Sequence, residues 1–494
     1  MNENFFYSKI IKAKDGNLIP LCKNTENGQE FSLHSKYNPV REAELFCSNI
    51  DTNFTFFVVL GLAAAFHIEK LLEKVPNAKI FVVECSESAI NFLLQLPTVK
   101  KINENKRIFI SDIENLEKNF LSIYKPALHG NLTIISLRQW ENIFQKSAKC
   151  AREKLNSTIK LLSADYSVQS HFGKIWQKNI LTNLSLAKKS KSVEIVKEEI
   201  FPYIKKTAVI IAAGPSLDEK IHELKKNQEK YFIIATDTAF SALLKQGVES
   251  DVVVSIDGQM VSHEHYIGHL QKKSLYVFDL CANSSAVRKT LSKTENVLFV
   301  ETGHPLAQYA SIFSGKQNFL HVETGSGTVT IAAFSLAQKL GFKKIEFLAA
   351  DFAYIDGKPY TRGTYLENQF YTKSNRICTA EKSYITLMYR APIKKISENK
   401  ITTEILEAYR TSLLNFIKES KENKNFQGSE NYGTFDLGRF KSQYCKDLRK
   451  TFKSENDFDE NSPAIKTLLP LCAKLGKGST FLAYLKTLRY TERV

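Results

Sequence analysis

The sequence predicts an α/β protein with two domains built on parallel sheets and a helical C-terminal region. Three observations predict it. First, short β-branched apolar runs alternate with helical stretches, as buried parallel strands do. Five such runs stop at an acidic residue: Asp237 after Phe232-Ile-Ile-Ala-Thr, Asp257 after Val252-Val-Val-Ser-Ile, Asp279 after Leu275-Tyr-Val-Phe, Glu301 after Val297-Leu-Phe-Val, and Asp351 after Ile345-Glu-Phe-Leu-Ala-Ala. Second, a sixth run, Ala208-Val-Ile-Ile-Ala-Ala, stops at Gly214-Pro-Ser-Leu-Asp218. Third, from about residue 376 the chain turns Lys-rich, with apolar residues at helical spacing. Ligands of open α/β sheets bind at the carboxyl ends of the strands. The chemistry is therefore expected between about residues 205 and 370.

At 494 residues, two or three domains are expected. A hydrophobic content of 43% supplies real cores. No apolar run approaches the roughly 18–20 residues that span a bilayer, and Met1-Asn-Glu-Asn-Phe-Phe-Tyr lacks the layout of a leader. A cytoplasmic protein without a transmembrane segment is expected. Eight cysteines stand apart with no CxxC pair, so single thiols are expected rather than zinc or disulfides. The net charge of +16 is dispersed in lysine pairs such as Lys205-Lys206 and Lys343-Lys344. No nucleic-acid motif accompanies it, so an anionic nucleotide ligand is favoured over nucleic acid.

Taken in order, Lys9 to Lys14, Asp15-Gly16 and Leu18 to Leu21 read as a hairpin. His34 to Ala43 leads into a helix. Thr55–Leu60 is a strand, Ala63–Lys74 a helix and Ile80–Val83 a strand ending at Glu84, with further strands at Arg107–Ile110 and Leu132–Ile135. This is a Rossmann-like outline, but its first turn keeps only Gly61, where a ligand-cradling loop wants several glycines. A degenerate, structural unit is expected, with Glu84 as an ordinary strand-end residue. Residues 138–200 read as helical. The expected segments are 1–137, a helical connector 138–204, a central nucleotide-binding domain 205–375 and a helical region 376–494. In the last, Thr402–Lys418, Ala464–Leu475 and Thr480–Leu488 are amphipathic.

In the central domain, Gly214, Pro215 and Ser216 precede a helix, whose start suits a phosphate. Asp237 ends the second strand, where acidic residues commonly bind ribose. Asp237 and Asp257 together are candidate Mg²⁺ ligands. Glu323-Thr-Gly-Ser-Gly-Thr-Val-Thr330 puts Gly325, Ser326 and Gly327 at another helix start. After Asp351 come Tyr354, Asp356, Lys358, Tyr360 and Arg362, several of them donors to an anion. His263, His265 and His269 are poorly spaced for one metal, and no histidine follows His321.

At these residues the chain resembles the motility-associated factor (Maf) family of flagellin glycosyltransferases, and more broadly the MptE-like group that includes 6-hydroxymethylpterin diphosphokinases. The matching segments are His34-Ser-Lys-Tyr-Asn-Pro, Ile211 to Asp218, Ala235-Thr-Asp-Thr-Ala239, Val254-Ser-Ile-Asp257, Gly325-Ser-Gly327 and Leu340 to Lys358. The central domain is also similar to bacterial sialyltransferases that use a cytidine-monophosphate (CMP) sugar. That likeness implies that Gly214, Ser216, Ser326 and Gly327 line the nucleotide site and that Tyr354 and Tyr360 bond the departing phosphate. Those enzymes carry asparagines where this chain has Ala213 and Asp237, and use a histidine base downstream of the tyrosines that is absent here. The base is then Asp257, Asp351, Asp356 or Glu367. The implied activity is transfer of a pseudaminic- or legionaminic-type nonulosonic acid from CMP to Ser or Thr of flagellin. The alternatives are a Mg²⁺-dependent pterin diphosphokinase and a non-catalytic flagellar assembly factor.

Overall fold

The computed structural model describes residues 4–268, 270–325, 327–422, 432–455 and 457–494. The chain forms two compact units, residues 1–171 with 469–480, and residues 172–468 with 481–494.

In the first unit, β1 (Phe5–Lys12) and β2 (Leu18–Asn24) pair antiparallel, and β3 (Glu30–Ser32) adds to β2. Gly16 turns between β1 and β2 with φ +95°, as the Asp15-Gly16 pair predicts. A parallel sheet follows, ordered β6-β5-β4-β7, from β4 (Phe56–Leu60), β5 (Lys79–Glu84), β6 (Ile108–Asp112) and β7 (Leu132–Ser136). Every residue of β4 is buried, which is why it reads as an unbroken apolar run. The helix expected from Ala63 begins only at Phe66. Ala63 and Ala65 are left-handed, with φ of +44° and +64°, and such residues cannot continue a right-handed helix.

The turn after β4 is filled by the protein itself. Glu84, fully buried, accepts from Trp140 Nε1 at 2.7 Å, Leu62 N at 3.0 Å and Tyr7 Oη at 3.1 Å. His34 Nε2 takes the Ala64 N–H at 3.0 Å. A Cβ on Gly61 would lie 2.7 Å from Trp140 Cγ. The glycine admits an indole ring rather than a ligand, and the strand-end carboxylate holds that ring.

The chain passes into the second unit within the helix Gln145–Leu186. There β8 (Thr207–Ile211), β9 (Tyr231–Thr236), β10 (Val252–Ser255), β11 (Leu275–Asp279), β12 (Val297–Glu301), β13 (Leu320–His321) and β14 (Ile345–Leu348) form one parallel sheet. Its order is β13-β12-β11-β10-β9-β8-β14. Alternate residues enter two separate cores: Ala208, Ile210 and Ile234 on one face, Val209, Ile211 and Ile233 on the other. Burial on both faces requires continuous apolar strands. The strands step outward from β8 to β13, and β14 then returns to the opposite side of β8. The direction of winding reverses there.

The region after residue 376 is not wholly helical. β15 (Tyr354–Ile355), β16 (Ile393–Lys395) and β17 (Lys400–Thr403) form a small antiparallel sheet ordered β15-β17-β16. The Ser397–Asn399 turn closes the β16–β17 hairpin, with Ile396 N donating to Lys400 O. The helix expected from Thr402 therefore begins at Glu404, capped by Thr403 Oγ1 on Leu406 N, and runs to Glu422. Helices at Pro463–Leu475 and Thr480–Arg493 follow. No helix among the described residues is long and apolar enough to cross a membrane.

Candidate functional site

A cavity of about 400 Å³ opens where the winding reverses, the place where open α/β sheets bind ligands. Ala212–Gly214 after β8, Thr236 and Thr238 around the end of β9, and Ala349–Tyr354 after β14 line it. So does the start of the helix Val329–Lys339, with Gly327 to Thr330 on the wall. Tyr360, Arg390 and Tyr409 complete the outer side.

The glycine turn is held from behind. A Cβ on Gly214 would lie 2.4 Å from both Ala349 O and Asp351 Oδ2. Asp351 accepts Ser216 N at 2.9 Å and Ser216 Oγ at 2.6 Å. Both its oxygens are engaged in fixing the turn, and Ser216 directs its hydroxyl at Asp351. Ala349 and Phe352 carry φ of +56° and +46°. Left-handed non-glycine residues cost about 1–2 kcal/mol each, and here they form the cavity's floor.

A second carboxylate braces the tyrosine loop. Asp218 accepts the Thr361 hydroxyl and, at 2.9 Å, Arg362 N, and pairs with Lys358 Nζ at 3.5 Å. Thr361 N donates to Ala213 O at 2.9 Å. The segment carrying Tyr354 and Tyr360 is thus tied to the glycine turn. Lys358, Pro215 and Ser216 line a neighbouring cavity behind that turn, not the switch-point cavity.

Asp237 is buried beneath the site. Its Oδ2 accepts Ser255 Oγ at 2.7 Å and its Oδ1 accepts Thr238 N at 2.7 Å and Thr238 Oγ1 at 3.2 Å. Asp257 is half-buried, accepts Gln259 N at 2.9 Å through Oδ1, and leaves Oδ2 without a partner among the described residues. Asp237 thus has both oxygens hydrogen-bonded, while Asp257 keeps one open. Among the described residues no group of three His, Cys, Asp or Glu side chains is arranged to hold a metal.

Tyr354 and Tyr360 line the cavity together with Arg390. More than a third of Tyr360 is exposed (38%), yet burial around its hydroxyl raises its pKa; Tyr354 adds to the rise and Arg390 opposes it. The phenol stays protonated at neutral pH and can donate. Arg390 has no ion-pair partner among the described residues and is the cation of the lining. Thr328 caps the helix start through Ile331 N at 3.3 Å, leaving the helix's positive end turned to the cavity. Gly327 lies on the wall at φ +85°. Gly325, at φ +53°, sits where a Cβ would meet Ser412 Oγ at 2.7 Å. Ser326 lies outside the described residues, as does His269.

The structure thus gathers Gly214, Asp351, Tyr354, Tyr360 and Gly327 around one cavity, with Asp237 beneath, and sets Asp257, Pro215, Ser216 and Lys358 outside its lining. Sequence reasoning missed Arg390 and Tyr409. Neither stands in a motif; β17 and the hairpin before it bring them in. Along the far strand ends, His321 bridges Glu301 at 2.6 Å and Glu323 at 3.0 Å. Burial pushes the Asp279 carboxyl up to about 7.

Residues 178–357 match the family described as 6-hydroxymethylpterin diphosphokinase MptE-like. Two uncharacterized proteins of Treponema pallidum (strain Nichols) are similar. One is 42% identical over 137 residues, 27% of this chain and 48% of the relative. The other is 35% identical over 149 residues, 29% of this chain and 67% of the relative. The match thus spans about half of the first relative's length. Among solved structures, a Maf glycosyltransferase from Magnetospirillum magneticum AMB-1 aligns at 12% identity and a TM-score of 0.47, covering 98% of this chain and 86% of that one.

Proposed function

The chain belongs, through residues 178–357, to the MptE-like family, and from that premise we propose that its switch-point cavity binds the nucleotide of an activated sugar and that the protein is a glycosyltransferase. The observation that carries this reading is the cavity itself: a helix start, Tyr354, Tyr360 and Arg390 line it where a parallel sheet reverses. These are the groups that stabilise charge developing on a leaving phosphate. The donor is a CMP-linked nonulosonic acid of pseudaminic or legionaminic type, and the acceptor a Ser or Thr of flagellin in the cytoplasm. Both assignments follow the sequence resemblance.

In the reaction the acceptor oxygen attacks the anomeric carbon and the bond to the CMP phosphate breaks. The electron pair leaves on the phosphate oxygen, near Tyr354, Tyr360 and Arg390. The hydroxyl proton goes to a carboxylate. Asp351 is engaged with Ser216, Asp356 Oδ1 with Asn399 at 3.1 Å, and Glu367 with Gly363 N. Asp257, with its open oxygen, is the favoured base.

The family match also favours a second reading, a diphosphokinase moving pyrophosphate from ATP to a pterin alcohol. Such a transfer needs Mg²⁺, which Asp237 and Asp257 would hold.

The test compares the intact mass of flagellin from cells with and without the gene, and CMP binding by the purified protein. Deletion is expected to remove the mass of a nine-carbon acidic sugar. Arg390→Ala is expected to weaken CMP binding roughly 10- to 100-fold, the loss of one charge-assisted hydrogen bond. Unchanged flagellin mass, with pterin diphosphate formed from ATP, would sink the transferase reading. Unchanged mass with no activity would leave an assembly factor.

A further inference from the structure

Beyond Tyr360 the chain crosses the helix Asp237–Lys245 as a strap. Ser241 Oγ and Lys245 Nζ both donate to Gly363 O at 3.0 Å, and Lys245 also reaches Asn368 Oδ1 at 3.1 Å. Gly363 has φ +87°, and a Cβ there would lie 3.2 Å from Ala242 Cα. The strap is pressed onto the helix with no room between them. Thr238, in that helix's first turn, lines the switch-point cavity. Ser241, one turn later, lines another cavity, of about 260 Å³. The two cavities therefore lie on either side of one strap, with Tyr360 walling the first and Tyr365 the second.

Most residues lining the second cavity carry a polar group. Glu264, Asn368, Gln369 and Lys373 line it beside Tyr365, with Ile267 as its apolar member. The Tyr365 ring meets His265 edge to face at 4.4 Å. His265 is buried, and its Nδ1 has no partner among the described residues. Burial pushes the Tyr365 hydroxyl up to about 12, and the charges of Tyr360, Asp237, Asp257 and Glu264 add to the rise. Tyr360, which lines the first cavity, and Glu264, which lines the second, both contribute to that rise.

We propose that this second cavity is the acceptor subsite, holding a hydroxyl-bearing polypeptide segment and presenting its Ser or Thr past Tyr365 to the donor sugar. The proposal rests on the transferase reading above. Group transfer needs two abutting sites whose reacting atoms come within about 3–3.5 Å. Side-chain amides such as Asn368 and Gln369 both donate and accept, which matches a peptide backbone. Glu264 and Lys373 offer opposite charges on the same rim.

The test is steady-state transfer from a CMP-nonulosonate to purified unglycosylated flagellin, with the full chain and with Gln369→Ala and Lys373→Glu. Acceptor KM is expected to rise about tenfold in each variant, while donor KM holds. Thermal melting of both variants reports that they remain folded. Unchanged acceptor KM in folded variants overturns the subsite and leaves the transferase standing. An equal rise in donor KM overturns it by assigning the cavity to the donor. If the wild type binds CMP yet transfers nothing, the transferase reading falls, and the subsite with it.

Discussion

Asp351, Asp218 and Asp237 each have hydrogen-bond donors packed against the carboxylate. A buried carboxylate without such partners costs several kcal/mol, so strand-end acids engage the nearest N–H and O–H groups. His321 is the opposite case, a cation held between two acids. Its bond to Glu301, then their charge interaction and the bond to Glu323, raise its pKa from the usual 6.5 to about 9 against the pull of burial. The stabilisation is therefore fully present below pH 6.5 and lost as pH rises through about 9. In urea unfolding followed from pH 6 to 10, His321→Gln is expected to flatten the fall in stability across that window. A variant with the wild-type slope would remove His321 from that dependence.

Elements form where local sequence and burial agree. β8 through β12 are short apolar runs buried on both faces, and each stands where its run stands in the sequence. The exceptions have local causes. The helix after β4 starts late because Ala63 and Ala65 are left-handed, and β17 takes the first two residues of an expected helix. The turn after β4 looks like a ligand loop that lost its glycines. Its remaining Gly61 is pinned by Trp140. Gly61→Ala adds a methyl at 2.7 Å from that ring in a backbone with φ +98°. The expected loss is about 2–4 kcal/mol from overpacking and left-handed strain together, read as a lower urea midpoint. A loss below about 0.5 kcal/mol would mean that Trp140 moves aside freely, and the turn would then be open to ligands.

At the scale of the molecule, each unit carries a parallel sheet, and the cavity at the strand ends described above belongs to the second. In the first, Glu84 and His34 occupy the groups a nucleotide would use. CMP titrated into the full chain is expected to bind at one site, and Glu84→Gln to leave the stoichiometry at one. A second equivalent abolished by a first-unit variant would contradict this. The sequence by itself determined the α/β class, the strand runs and the glycine turns, because burial on both faces and tight turns leave their marks within a few neighbouring residues. Only the tertiary structure decided which carboxylates are engaged, that Lys358 pairs with Asp218 rather than facing the cavity, and that Arg390 and Tyr409 complete the wall. Those outcomes depend on partners separated by well over a hundred residues in the chain, such as Ser216 with Asp351. No local pattern encodes such a meeting; the reversal of winding between β8 and β14 creates it.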